Sequence, residues 1–400
     1  MACGADGDRR PVPSATGLIG IVATAATLRV AVVGVGPLID PIRADLGMSR
    51  PVAGLLTTIP YVCMSLCAFA GMRVVARLGY GVLVQACLLV LALASLVRAV
   101  MPSAGLLLLM TVPIGVAIAL VGVALPPVVK HRFADRSGQV TGAWVAAMGL
   151  GATVAGLTAV PLADALGGWR AALALTAIPP AVAIPLWAWT RAQRIPRPHP
   201  AAIPRPPWRT LMPLALVFGL QAVAYTGTIA WSAPLLSQEG FSDVAAGAAP
   251  AVISFAALPF ALFVPGLSDG RDRRRWIAVS AAVMAAGAFG LAFAPASAPW
   301  LWLVIFAIGD GPLFPLSLTL PLDVARDASE AAVLSMWTLG IGYGLSTLGP
   351  VLTGALRDIS GSFTLPIAVM GACVVAAGLI GQRVHPGFGR EAPLELVERA

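Results

Sequence analysis

Read for polarity alone, the chain alternates long apolar runs with short polar breaks, and the runs share one length. They fall near residues 17–39, 52–72, 79–100, 104–128, 139–162 and 169–190, then near 210–234, 244–265, 276–295, 299–322, 330–355 and 362–383. A helix rising about 1.5 Å per residue needs about 20 apolar residues to cross a hydrocarbon layer of about 30 Å. Each run approaches or exceeds that length, and a helix satisfies its own backbone groups inside lipid. The pattern therefore predicts an all-α membrane protein with twelve transmembrane helices. A turn near Met101–Pro102 separates the third from the fourth. The first run is too long for the apolar part of a signal peptide and continues into Gly34–Pro37, so it counts as a span.

Composition agrees with the pattern and removes whole classes of function. The 400 residues are 58% hydrophobic and 11% charged, whereas soluble domains carry about 25% charged residues. Too little polar surface exists to coat a water-soluble core, which excludes a soluble enzyme, a nucleic-acid binder and a disordered scaffold. The net charge of +8 adds little, because 25 of the 26 basic residues are arginine and Lys130 is the single lysine. That bias reads as coding composition and not as a binding surface. Five cysteines, four of them in apolar runs, and three histidines outside the runs offer no disulfide framework or metal site. No cofactor is expected.

Charge placement sets the expected orientation. With the N-terminus in the cytoplasm, twenty basic residues fall in inside segments and five outside, with Arg29 within the membrane. The excess of positive charge inside predicts a multi-pass protein of the cytoplasmic (inner) membrane with both termini cytoplasmic. The longest internal loop, residues 191–209, holds six prolines and five arginines and reads as a stiff basic linker. It divides the chain into an N-terminal six-helix bundle (1–190) and a C-terminal six-helix bundle with a short tail (210–400).

These halves are copies. At an offset of 193 residues Gly47-Met-Ser49 with Ala53-Gly54 recurs as Gly240-Phe-Ser242 with Ala246-Gly247, each opening the second span of its half. Trp144, Gly149, Gly151 and Gly156 recur as Trp337, Gly342, Gly344 and Gly349 in each fifth span. Six spans return each copy to the same orientation, so the internal repeat is parallel. Two such bundles are expected to enclose a site near the midplane that rocking exposes to either side.

Two charges stand where charge is costly and so mark a site. Arg29 lies 12 residues into the first run and Asp310 lies 11 into the tenth, which puts both roughly 16–18 Å deep. Gln221, Tyr225 and Tyr343 reach similar depth. Arginine keeps its charge and presents a planar fork of donors suited to small planar anions. Arg29, Gln221, Tyr225 and Tyr343 are therefore the candidate substrate contacts, and a structural Arg29–Asp310 salt bridge is the competing reading. Asp310 is read equally as a proton carrier, a gating partner of Arg29 or a residue facing a wet vestibule. Trp144 and Trp337 are expected in an interfacial aromatic belt, and Arg98, at an outer boundary, is expected to snorkel.

The loops after the second and eighth spans complete the picture. Gly71-Met-Arg73-Val-Val-Ala-Arg77-Leu-Gly79 and Gly266-Leu-Ser-Asp269-Gly-Arg271-Asp-Arg273-Arg274 resemble the signature loop of the major facilitator superfamily. The first copy has Ala76 where the signature has an acid, and the second keeps it as Asp269. The resemblance implies the major facilitator fold and a gating role for Asp269 and Arg273. Within that superfamily the chain is similar to the cyanate permease and 2-nitroimidazole transporter group. The similarity rests on Arg29 with Gly34-Val-Gly36-Pro37, Leu125-Pro126-Pro-Val-Val-Lys130-His-Arg132, Gly168-Trp169-Arg170, Gly219-Leu-Gln221 with Tyr225, and Gly342-Tyr343 with Gly349-Pro350. It implies a secondary transporter of a small planar solute, with protons as a possible coupling partner, the bilayer as its solvent and a monomer as the default state. Asp310 has no counterpart in the group's pattern.

Two further readings compete with a cyanate-like anion as cargo. Proton-coupled efflux of a small heteroaromatic compound is one, although the fifth span, Gly142 to Gly156, lacks the Gly-Pro of the drug antiporters. A membrane-embedded enzyme is the other, and it lacks the nucleophile–base pair or metal ligands that intramembrane catalysis needs. A receptor-like sensor would be expected to carry a soluble signalling domain, and only about sixteen residues follow Val384.

Overall fold

All regular elements among the described residues are helical. The computed structural model describes residues 15–189, 195, 206–385 and 387–388. Most of the expected linker lies outside these residues, as do Arg9, Arg10, Arg390 and Arg399 of the orientation count. The first span is built in pieces: α1 (Ala15–Thr27), α2 (Val30–Val33), a 3₁₀ turn over Gly36–Leu38 and α3 (Ile39–Leu46). Then come α4 (Arg50–Leu78), α5 (Tyr80–Ala99), α6 (Ala104–Arg132) and α7 (Ser137–Ala165). The sixth span is divided into α8 (Trp169–Leu175) and α9 (Ile178–Trp189). Beyond the linker follow α10 (Trp208–Gln238), α11 (Asp243–Gly247), α12 (Ala249–Leu267), α13 (Arg274–Phe293) and α14 (Pro299–Val324). The last two spans are α15 (Ala328–Ser346) with α16 (Leu348–Ser360), and α17 (Thr364–Gly381).

Eleven helical segments among the described residues are long and apolar enough to cross a membrane. The twelfth expected span is α4, whose apolar stretch, Val52–Ala68, is shorter. Arg73 and Arg77 occupy its last turns, so α4 is a full-length helix with a less apolar end. The two six-span bundles meet where α4 packs on α15 and α7 packs on α12. Both copies of the repeated glycine motif turn the chain in the same way. Gly47 and Gly240 each adopt a left-handed conformation, with φ of 63° and 88°, a region open to glycine at no steric cost.

The expected runs were continuous, whereas spans 1, 6, 8 and 11 are interrupted, and the interruptions have a common chemistry. Pro179, Pro250 and Pro350 follow the breaks within a few residues, and each removes a donor from the helical ladder. Hydroxyls take up backbone carbonyls at three of the breaks: Thr27 Oγ1 donates to Thr24 O at 2.7 Å, Thr176 Oγ1 to Leu173 O at 2.6 Å and Thr347 Oγ1 to Gly344 O at 2.7 Å. Carbonyls freed in this way need partners inside lipid. Ser346 O, whose helical donor would have been residue 350, accepts instead from Thr226 Oγ1 on α10 at 2.7 Å.

Two expectations for single residues are corrected by their burial. Trp144 is 4% exposed and directs Nε1 at Met148 Sδ, 3.0 Å away. It is packed within the protein and is not part of a lipid-facing belt. Arg98 is 1% exposed and donates from Nη2 to Ala31 O at 3.0 Å. Its side chain turns inward to a backbone acceptor freed by the broken first span and does not snorkel outward.

Candidate functional site

Arg29 owes its position to the first break. The helix ends at Thr27, and Arg29 stands at the N-terminal edge of α2, its own carbonyl accepting from Val32 N and Val33 N at 3.2 and 2.9 Å. The neighbours Leu28 and Ala31 are buried, so the interruption lets one long polar side chain leave the packed helix face. It enters a cavity of about 90 Å³ between the bundles. There the guanidinium lies over the Phe314 ring, 6.0 Å from its centroid, and Tyr225 lines the same cavity. Tyr61 and Tyr343 complete an aromatic surround.

On the α14 side, Asp310 is 6% exposed and accepts from Gln221 Nε2 at 2.5 Å. Gln221 Oε1 is buried and makes no hydrogen bond among the described residues. The carboxylate is thus held by an amide, and no direct ion pair with Arg29 forms among the described residues. Behind these groups the cavity wall is a packed aromatic stack. Phe218 is fully buried and meets Tyr343 edge-on with centroids 5.1 Å apart, and Phe314 at 5.8 Å. Gly342 makes room for this stack, since a Cβ there would lie 2.0 Å from Phe218 Cδ1.

All five midplane residues expected from the sequence, Arg29, Gln221, Tyr225, Tyr343 and Asp310, line this one cavity. The other two, Asp269 and Arg273, stand apart from it at the end of the bundles where the linker joins. Asp269 reaches across from the second bundle to the start of α7, accepting from Gly138 N at 2.6 Å and Gln139 N at 2.9 Å. The first turn of α7 has no side-chain cap of its own, so a carboxylate from the other bundle occupies the anion-favouring end of that helix. Arg273 ties the contact down through Asp269 at 3.0 Å, Asp323 at 2.6 Å and Ser137 Oγ at 3.2 Å. Nearby, hydrogen bonds from Arg274 hold Asp272 below the usual carboxylate range. Lys130 Nζ to Leu322 O at 2.6 Å and Ser65 Oγ to Gly340 O at 3.1 Å join the bundles from the same end towards the middle.

Comparison with known proteins decides the family. The model of the Major Facilitator Superfamily matches residues 18–338. The chain belongs to this superfamily. Among its relatives, this facilitator is 32% identical over 375 residues to the cyanate transport protein CynX of Escherichia coli (strain K12), covering 92% of this chain and 97% of the relative. It is 33% identical over 377 residues to the 2-nitroimidazole transporter of the same organism, covering 92% and 95%. In fold it is similar to the human organic anion transporter MFSD10, with a TM-score of 0.73 at 14% identity over 92% of this chain and 98% of that one. The proton:xylose symporter XylE gives 0.71 at 13% identity, covering 91% and 94%. The facilitator is a membrane transport protein and not an enzyme.

Tyr61 and Phe314 escaped the sequence reading. Phe314 carries no signal, being one of 13 phenylalanines in an apolar chain. Tyr61 does carry one, because the chain has only four tyrosines and three of them face the cavity.

Proposed function

We propose that this facilitator moves a small planar anion or nitrogen compound across the cytoplasmic membrane by alternating access. Residues 1–190 and 210–400 act as the rocking units, and 191–209 as their cytoplasmic linker. One observation carries the reading: the Arg29 fork enters a cavity between the bundles with aromatic rings around it, while Asp310, the one acid among the described residues that line it, is engaged by Gln221. A cation left without a carboxylate partner in an apolar setting selects for an anion or a strongly dipolar solute. Tyr225, Tyr343 and Gln221 supply orienting donors. Asp310 carries the coupling proton, and Asp269 with Arg273 closes the cytoplasmic side in the state described. The names of the two relatives, one for cyanate and one for 2-nitroimidazole, are both consistent with such a site.

The aromatic lining supports a second reading, export of a heteroaromatic ring able to stack on Phe314 and the tyrosines. One experiment separates the two. Purified protein in liposomes is given cyanate, nitrate or 2-nitroimidazole under an imposed pH gradient, with Arg29→Ala in parallel. Saturable transport of cyanate or nitrate that Arg29→Ala abolishes supports the anion reading. Transport of 2-nitroimidazole alone, surviving in Arg29→Ala, moves the assignment to the ring-stacking site.

A further inference from the structure

The break that frees Arg29 creates a mechanical problem. Residues 29–46 no longer continue the α1 ladder. They form a lever of four-residue α2, a 3₁₀ turn and α3 that ends at the left-handed Gly47. Arg29 sits at the inner end of this lever, so its aim depends on what holds the lever. α2 and the 3₁₀ turn pack on α7, and two arginines from other elements add polar clamps, one near each end. At the inner end Arg98 of α5 donates to Ala31 O at 3.0 Å. At the outer end Arg170 joins Asp45 of α3 at 3.0 Å while donating to Ala99 O and Met101 O at 3.2 and 2.8 Å.

These two clamps are unequal. The Arg170–Asp45 pair is 40% and 49% exposed, and exposed pairs contribute little. Arg98 is 1% exposed, and its Nε makes no hydrogen bond among the described residues. A buried guanidinium held by one backbone carbonyl is a poor stabiliser of a fold, because its desolvation outweighs that bond. What the contact does accomplish is local: it fixes a carbonyl two residues from Arg29, in a segment too short to hold itself.

The geometry points to Arg98 as a positioning residue for the substrate site, a buried clamp that ties Ala31 O of α2 to α5 and thereby aims the Arg29 fork into the cavity. Arg98 touches no substrate. Its role rests on the reading of Arg29 as the substrate contact.

The test separates positioning from folding. Arg98→Met and Arg98→Lys are compared with the parent protein, with Asp45→Asn as the weak-clamp control. Three readouts are taken: melting temperature, backbone amide exchange over residues 30–36, and KM against kcat for cyanate and 2-nitroimidazole in liposomes. Arg98→Met removes a desolvated charge and so leaves the melting temperature unchanged or raised. Exchange over 30–36 accelerates and KM rises about tenfold with kcat nearly unchanged, in proportion to one charge-assisted hydrogen bond. Arg98→Lys, still able to donate to Ala31 O, recovers most of both, and Asp45→Asn changes neither. A lower melting temperature with unchanged exchange and KM makes Arg98 structural and overturns the inference. If Arg98→Met fails to fold, a normal KM and normal exchange in Arg98→Ala or an unrecovered KM in Arg98→Lys overturns it too. Should the parent move neither solute, the proposed substrate class fails, and the exchange comparison alone still decides the clamp.

Discussion

Arg29 and Asp310 share a cavity without forming a direct ion pair among the described residues, and that separation gives each residue its own prediction. For Arg29 the relevant property is the planar fork beside Phe314 and Tyr225, which a lysine ammonium cannot reproduce. Arg29→Lys is therefore expected to keep the protein folded yet lower kcat/KM for cyanate, the proposed class of cargo, by at least about tenfold, on the scale of one lost charge-assisted hydrogen bond. Uptake kinetics with the parental Tm as a folding control check this. For Asp310, the neutral isostere Asn preserves shape and removes the titratable proton. Asp310→Asn is expected to abolish the dependence of net uptake on an imposed pH gradient while leaving counterflow exchange of solute, which needs no net proton movement. Gradient-driven uptake that persists in Asp310→Asn removes the proton from this site. The depth of these charges was legible because lipid makes charge rare. Their partners were not, since a helix count gives depth and no rotation about the helix axis. The choice between an Arg29–Asp310 pair and an Asp310–Gln221 bond depends on that rotation.

At the level of the helices, the apolar pattern located most spans to within a few residues, as with Tyr80–Ala99 against the expected 79–100, while the first two run on to Leu46 and Leu78 beyond the expected 39 and 72. It did not show where spans are interrupted, because a broken and a continuous helix are equally apolar. The usable signal was chemical: a threonine with a proline a few residues on, as in Thr176 with Pro179 and Thr347 with Pro350. Such pairs leave a carbonyl that another helix has to satisfy, and Thr226 does this for Ser346 O. Thr226→Val, which keeps the shape and deletes the donor, is expected to destabilise the protein by about 1–3 kcal/mol, the cost of an unsatisfied buried acceptor. Thr226→Ser is expected to restore most of the loss, and thermal unfolding in detergent measures both. A glycine without Cβ admits close approach, and Gly342 is such a position. The Cβ of Gly342→Ala would lie 2.0 Å from Phe218 Cδ1, so overpacking is expected to cost about 1–3 kcal/mol and to disturb Tyr343 through the same ring.

Across the whole molecule the internal repeat predicts symmetry, and the linker-end contacts depart from it in a way that has a mechanical consequence. In the second bundle the signature loop retains its acid, and Asp269 caps the uncapped start of α7 in the first. In the first bundle Ala76 stands at the matching place, while the start of α15 is capped by its own Asp327, which accepts from Glu330 N at 2.8 Å. The carboxylate cap between the bundles consequently reaches from the second bundle to the first. A carboxylate accepting two amide N–H bonds at a helix start, braced by Arg273, contributes on the order of 1–3 kcal/mol, a shift of roughly 5- to 150-fold between the two access states. Asp269→Ala is therefore expected to move the population towards the cytoplasm-open form. The measurement is labelling of a single cysteine at Ser254, which lines the cavity, in a background lacking the five native cysteines. Impermeant thiol reagents are supplied from either face of inside-out and right-side-out vesicles. With Asp269→Ala, labelling from the outer face falls and labelling from the cytoplasmic face rises. Ala76→Asp, which offers an acid to a helix start already capped, leaves the ratio unchanged. Equal responses to the two substitutions would mean that the cap is symmetric after all, and an unchanged ratio in Asp269→Ala would mean that Lys130–Leu322 and Ser65–Gly340 hold this end closed without it.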